Sequence, residues 1–449
     1  MTYLLLAYGL IMLAVGLYYW RKVVDFKEYV VAGGRQSGML VALSMLTTII
    51  GASATLGVAS LAVNVGFPAF WWLGAGAVGL LLQAWLLSAR VRELGAHTLP
   101  DVAGIIMGKE ARMLIGLVIV ISWTGIVAAQ FTALSQIIFV LTGLADTRAI
   151  LVFISLGVIV YTVAGGQIPV MRTDALQFVF IFGGVGAACF FLYQGEGIAE
   201  LSARVEWLNA RFDAGNLLTL ALLVGSAFFI GPDVFSRNLT AKDAKTARRA
   251  TAAAGLVLVV FSVLLVFLAL WVVEQGNEKP ELNPLLLLIR DYLPVPLGVF
   301  LGFGLLSALV SSADTCLLSA ASIVENDLLG GRSLKRVRLL VLLVGLFSLG
   351  IALARSDIIA LLMTTYSVYV PGVVPPLFVA IMCHGGRTLS KPIWLLAVVA
   401  GGACGMAGGL AGSLIGGWAP HLPLVGMGLS AILALASVRR SYQSPGTQE

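Results

Sequence analysis

Charge is what this sequence has least of. Asp, Glu, Lys and Arg make up only 11% of its 449 residues, where a soluble domain carries about 25%. That shortage excludes a water-facing globular surface. Histidine is scarcer still: His97, His384 and His421 stand far apart and join no acidic cluster. This leaves no constellation for hydrolytic or metal-assisted chemistry, so an enzyme is not expected. Cysteine is limited to Cys189, Cys316, Cys383 and Cys404, all within apolar stretches and without metal-ligand spacing. They read as small buried hydrophobes rather than as disulfide or metal ligands. The net charge of +6 is no nucleic-acid signal, because the basic residues fall between apolar runs.

What is abundant is apolar residue, at 59%, with 51 glycines and a mean hydropathy of +0.99. A chain of this composition must face lipid, and glycine lets its helices approach closely. The first apolar run, Tyr3 to Trp20, lacks a basic n-region and a small-residue cleavage site, and reads as a retained helix. A span needs about 20 mostly apolar residues. Thirteen candidates follow: 3–20, 39–63, 69–89, 113–142, 149–164, 174–193, 216–231, 252–273, 294–324, 337–354, 358–383, 392–416 and 422–438. No linker or soluble domain interrupts them, so residues 1–449 read as one unit. The tail from Ser441 is polar and reads as disordered. The loop 194–215 has room for a short amphipathic helix at Glu200 to Phe212.

Of the 28 Lys and Arg residues, 22 fall on one side of these spans and 6 on the other. The positive-inside rule then places the N-terminus outside and the C-terminus in the cytoplasm. The spans divide as one leading helix (3–20), a group of five (about 39–193), a second group of five (about 216–383) and two trailing helices (about 392–438). A group of five crosses an odd number of times, so the second starts on the opposite face. That gives an all-α membrane fold of 5+5 inverted repeats, the plan of transporters with midplane sites.

Such transporters bind ions where helices break and free their backbone groups. Two spans show breaks, each the first of its group. One is Ser44 to Gly57, where small, polar and glycine residues mix in mid-span. Close packing through small residues is the alternative. The other is Gly225 to Asp233, where Gly231-Pro232-Asp233 stops a helix; there the alternative is a plain helix end at the interface. The ninth span is the most polar, running Ser307-Ala308-Leu309-Val310-Ser311-Ser312-Ala313-Asp314-Thr315. Ser311, Asp314 and Thr315 share one face. Their hard oxygens suit a small hard cation, and an acid within the membrane is a functional residue by default.

Tyr161-Thr162-Val163-Ala164-Gly165-Gly166 through Thr173-Asp174-Ala175-Leu176-Gln177 resembles the signature of the sodium/solute symporters. Four further marks agree: the ninth-span Ser311-Ser312-Ala313-Asp314-Thr315, Gly33-Gly34-Arg35, Thr98-Leu99-Pro100-Asp101, and Arg237 with Lys242-Asp243. The resemblance implies a LeuT-type fold after a leading helix, a bacterial inner-membrane location, and sodium symport of a small organic solute by alternating access. It implies a shared sodium site made by the carbonyls of Thr47, Ile50 and Ala308 and the hydroxyls of Ser311 and Ser312. A second sodium or proton site would use Asp174, Asp314 and Thr315, with Arg172 as another possible partner for Asp314. The solute would lie among Thr48, Ser53, Trp123, Gln130, Ser226, Phe228, Phe229 and Tyr366. Trp123 and Gln130, two helical turns apart, can face one cavity. Ile49 and Ala54 stand where a proline-transporting and a sugar-transporting member carry polar solute ligands, so neither specificity is expected. The cavity helices show no basic residue, and a solute carboxylate would have to rely on freed backbone N–H groups. An amino acid or carboxylate is the solute expected. Proton coupling through Asp314 and Asp174, or a sensory role with a separate partner protein, are the alternatives.

Overall fold

The computed structural model describes residues 2–144, 146–193, 205–276, 281–354, 358–410 and 421–439. Its principal helices are α1 (Thr2–Trp20), α2 (Gly38–Ile49), α3 (Val58–Val65), α4 (Phe67–Leu86), α5 (Lys109–Thr142), α6 (Thr147–Gly165), α7 (Gln167–Tyr193), α8 (Ala214–Thr240), α9 (Ala244–Glu274), α10 (Val295–Leu328), α11 (Leu334–Ala354), α12 (Ile358–Cys383), α13 (Lys391–Leu410) and α14 (Leu422–Ala436). Among the described residues, 11 helices are long and apolar enough to cross a membrane, and α2 with the helix from Ser53 to Val65 forms one bent pair. The last helix, α14, has 15 residues, fewer than a perpendicular crossing needs. The expected thirteenth span is therefore a shorter apolar helix.

Helix α10 is the axis of the molecule. Every residue from Leu301 to Leu318 is buried, and its principal packing partners are α7 and α5. A helix buried on all faces can carry polar residues only where neighbours satisfy them, which is why its serines mark a site rather than a surface. By contrast α1 is peripheral and mostly exposed, with Met12 and Gly16 buried against α6 and α7 and Tyr8 half-buried. Its hydroxyl lies 3.2 Å from Ser307 Oγ and accepts from Gln177 Nε2 at 3.0 Å.

The expected helix at Glu200 to Phe212 lies partly outside the described residues, and its described part, 205–212, is turn. This turn is pinned to the end of α3: Asn209 Nδ2 donates to the Val65 carbonyl at 2.8 Å, and Trp207 packs edge-on against Phe67 and Phe70. At the opposite end Thr388–Leu389 and Val438–Arg439 form a two-residue antiparallel pair, with Thr388 opposite Arg439.

Helix α12 carries Pro371, Pro375 and Pro376 in its interior. Each lacks the N–H that the carbonyl four residues earlier would accept, so Ser367 O and Pro371 O are released. The glycines of α13 settle on those carbonyls. A Cβ at Gly405 would lie 1.8 Å from Ser367 O, and one at Gly401 2.2 Å from Pro371 O. Gly405→Leu is expected to separate α12 from α13 and cost about 1–3 kcal/mol. Gly428→Ala, which meets open space, should leave the melting temperature in detergent unchanged.

Candidate ion and solute site

The first break starts in the last turn of α2. Ile50 N still bonds Leu46 O at 3.1 Å, but Gly51 N turns back to Ile49 O at 3.0 Å, and Ala52 N bonds Gln130 Oε1 at 2.9 Å. The carbonyls of Thr47 and Thr48 thereby lose the N–H groups that a continuous helix would supply. The chain then resumes at 62° to its former direction. Gly51 is needed here because a Cβ would lie 2.7 Å from both Ser312 Oγ and Gln130 Nε2.

Helix α10 passes directly against this break. Ser312 Oγ donates to the Thr48 carbonyl at 2.7 Å, and Ser311 Oγ donates to Asp174 Oδ1 at 2.5 Å. Thr47, Ile50 and Ala308 are buried as well. Ser312 thus joins the polar helix to the broken one, and Ser311 joins it to α7. Their oxygens are of the kind a hard monovalent cation takes.

Asp174, Asp314 and Thr315 also come together, but around a residue that sequence reasoning counted among the loop charges. Arg237 is fully buried. Its Nη2 donates to Thr315 Oγ1 at 2.6 Å, to Thr48 Oγ1 at 2.7 Å and to Asp174 Oδ2 at 3.3 Å. Ser44 also donates to Asp174, another partner the sequence reading did not name. Thr315 Oγ1 donates to Asp314 Oδ1 at 3.2 Å, while Asp314 Oδ2 has no partner among the described residues. Arg172, the other candidate for Asp314, instead bonds the Tyr19 hydroxyl at the protein surface. Arg237 was missed because Gly231-Pro232 looked like the end of a span. Ile230 is extended, but a helix resumes over Pro232–Thr240 and carries Arg237 back inside. The available signal was proline at the first helical position with Asp233 in the first turn, a helix-start pattern.

The solute cavity lies on the other side of Thr48 and Ser312. Thr48, Ser53, Trp123, Gln130, Phe228 and Tyr366 line it, as expected. Ser226 and Phe229 do not: Phe229 packs on Phe378, 5.4 Å between ring centres, and its carbonyl accepts from Gln83. One turn of helix separates neighbours on one face, so Phe228 and Phe229 cannot both point inward. The cavity measures about 30 Å³, room for about two waters. A smaller space of about 20 Å³ lies between His97, Gln167, Ser236 and Ser322. Beside it Thr98 Oγ1 donates to Asp327 Oδ2 at 2.6 Å, Arg112 Nε stands 3.2 Å from Asp327 Oδ1, and Arg112 pairs with Asp101. Burial, with Arg332, Lys27 and Arg112 nearby, holds His97 below its ordinary pKa.

Two discontinuous helices meeting a buried polar helix define a membrane transporter of the LeuT type. The chain belongs to the sodium:solute symporter family, whose model matches residues 29–385. It is 28% identical over 351 residues to the high-affinity choline transporter 1 of Drosophila melanogaster, covering 71% of this chain and 55% of that one. It is 27% identical over 257 residues to the uncharacterized symporter YwcA of Bacillus subtilis, covering 54% and 50%. The chain thus spans about half the length of the curated relatives it matches. Its fold is similar to that of a Na+-coupled sialic acid symporter in a substrate-bound outward-open state, with TM-score 0.77, 18% identity, and 97% and 98% of the two chains covered. It also resembles MhsT in complex with L-phenylalanine, with TM-score 0.61, 13% identity, and 90% and 98% covered.

The buried cluster holds two carboxylates and one guanidinium. Removing Arg237 strands both acids, whereas removing Asp174 leaves Arg237 with Asp314 nearby. Arg237→Met should therefore destabilise by about 3 kcal/mol or more, and Asp174→Asn by less. Melting temperatures in detergent in the opposite order would refute this account of the cluster.

Proposed function

We propose that the protein is a secondary transporter of the bacterial inner membrane that moves sodium and a small organic solute inward together by alternating access. The observation that carries this reading is the contact of the broken helix α2 with Ser312 of α10, next to Ser311. A cation held by the carbonyls of Thr47, Ile50 and Ala308 and by the two serine hydroxyls joins two elements that alternating access must separate. Sodium bound there favours the arrangement in which α2 and α10 are joined, and its release frees them. Each positive charge moved inward gains about 2.3 kcal/mol per 100 mV of membrane potential, so a single sodium is enough to drive accumulation.

At Asp174 the positive charge is already supplied by Arg237. The second cation position among Asp174, Asp314 and Thr315 therefore needs a mobile partner only at Asp314. The unpartnered Oδ2 of Asp314 favours a second reading in which this acid takes a proton in the cycle. Uptake into proteoliposomes separates the two. Ser311→Ala with Ser312→Ala should raise the sodium concentration for half-maximal uptake about tenfold, the equivalent of one lost hydroxyl contact or two. An unchanged sodium dependence sinks the proposed site, and uptake driven by a pH gradient without sodium selects the proton.

The charge asymmetry between loops supports an outside N-terminus and a cytoplasmic C-terminus. A reporter active only outside the cytoplasm should work when inserted after Gly143 and fail after Gly385. The reverse pattern would invert the assignment.

A further inference from the structure

We infer that the solute is a small organic cation, an ammonium compound carrying a hydrogen-bond acceptor, bound between the Asp233 carboxylate and the aromatic walls of Trp123, Phe228 and Tyr366. This rests on the transporter reading above and names the class of its cargo.

The cavity holds one ionisable acid and no basic side chain. Asp233 lines it and is partly accessible there. Among the described residues no Lys, Arg or His lies within ion-pair distance of Asp233. Arg237 follows one turn later on the same helix, but its guanidinium turns away to Asp174, Thr48 and Thr315. Asp233 stands in the first turn of the helix that resumes at Pro232, and the N-terminal end of a helix favours a negative charge. Its position in the helix thus supports the charge, while the cavity is where a counter-charge can approach it.

An anionic solute meets no basic side chain on these walls. The N–H groups freed by the first break were its expected partners, yet Gly51 N is taken by Ile49 O and Ala52 N by Gln130 Oε1. The Gln130 carbonyl oxygen thus closes the donor end of the broken helix from inside the cavity.

The walls suit a cation. The rings of Trp123, Phe228 and Tyr366 border the same space as Asp233, and aromatic faces attract ammonium groups. Trp123 is held by Tyr369, with ring centres 4.7 Å apart, and Tyr369 in turn donates to the Ile230 carbonyl at the second break. The cage is thereby tied to the backbone that carries Asp233. Trp123 Nε1 is buried without a hydrogen-bond partner among the described residues. An unused buried donor is costly, and a hydroxyl or carbonyl oxygen on the solute would satisfy it.

The test uses the full chain purified in detergent with sodium present, and four probes. Choline and tetramethylammonium are the cations; dimethylbutanol, the neutral carbon isostere of choline, and proline, a zwitterion, are the comparisons. Isothermal titration should show choline binding, tetramethylammonium binding more weakly for want of the acceptor, and dimethylbutanol at least about tenfold more weakly than choline. Asp233→Asn should weaken choline binding about tenfold or more and leave thermal stabilisation by sodium alone unchanged. Should that variant fail to fold, Trp123→Phe, which keeps a ring and removes the N–H, should abolish the preference for choline over tetramethylammonium. Equal binding of choline and dimethylbutanol, or binding of proline with no cation bound, overturns the inference. Stabilisation by sodium without any ammonium binding overturns it too and leaves the sodium reading standing. Choline binding that is indifferent to sodium overturns the sodium reading and leaves this one intact.

Discussion

The structure depends on a positive charge buried in the membrane. A guanidinium with no exposure is tolerated only where carboxylate and hydroxyl oxygens replace its hydration. Arg237 finds Asp174 on α7, Thr48 on α2 and Thr315 on α10, and Ser44 and Ser311 complete the shell of Asp174. These contacts tie the resumed half of α8 to the broken helix α2 and to both scaffold helices. Buried pairs of this kind add little net stability, because desolvation offsets attraction. What they supply is geometry: neither break can shift without exposing a charge to an apolar interior.

The first break separates two chemistries along one helix. Its released carbonyls and the hydroxyls of α10 make an oxygen-rich side for a hard cation. Its freed N–H at Ala52 is capped by Gln130 Oε1, and beyond it the cavity is lined by Asp233 and aromatic rings. Thr48 stands at the boundary: its carbonyl accepts from Ser312 and its hydroxyl from Arg237, while the residue also lines the solute cavity. The proposed ion position and the cavity thus share Thr48, close enough for occupancy of one to alter the walls of the other. Coupling by contact of this kind needs no long-range pathway.

The membrane class and the inverted-repeat plan were legible because hydropathy and breaks are local signals. Twenty apolar residues exclude other structures in lipid, and Gly51 and Gly231-Pro232 interrupt helices whatever surrounds them. Ser311, Ser312 and Asp314 were legible because polar residues in mid-span are expensive, and Asp174 because it belongs to the motif shared with the family. Ser226 and Phe229 were assigned to the cavity from proximity in sequence, and helix rotation took them out of it. Arg237 and Asp233 were illegible for a related reason. They follow a proline, and only the direction in which the chain leaves Ile230 decides whether such residues meet water or re-enter the protein.

By itself, then, the sequence determined that the chain lives in a bilayer and where its helices break, since each follows from transfer energies and local backbone chemistry. Only the tertiary structure decided that Arg237 answers Asp174, that Gln130 silences the freed N–H, and that Asp233 faces an aromatic cavity. Those facts concern groups 63 to 189 residues apart in the chain. Their pairing is set by how α2, α5, α7, α8 and α10 pack, which no local pattern encodes.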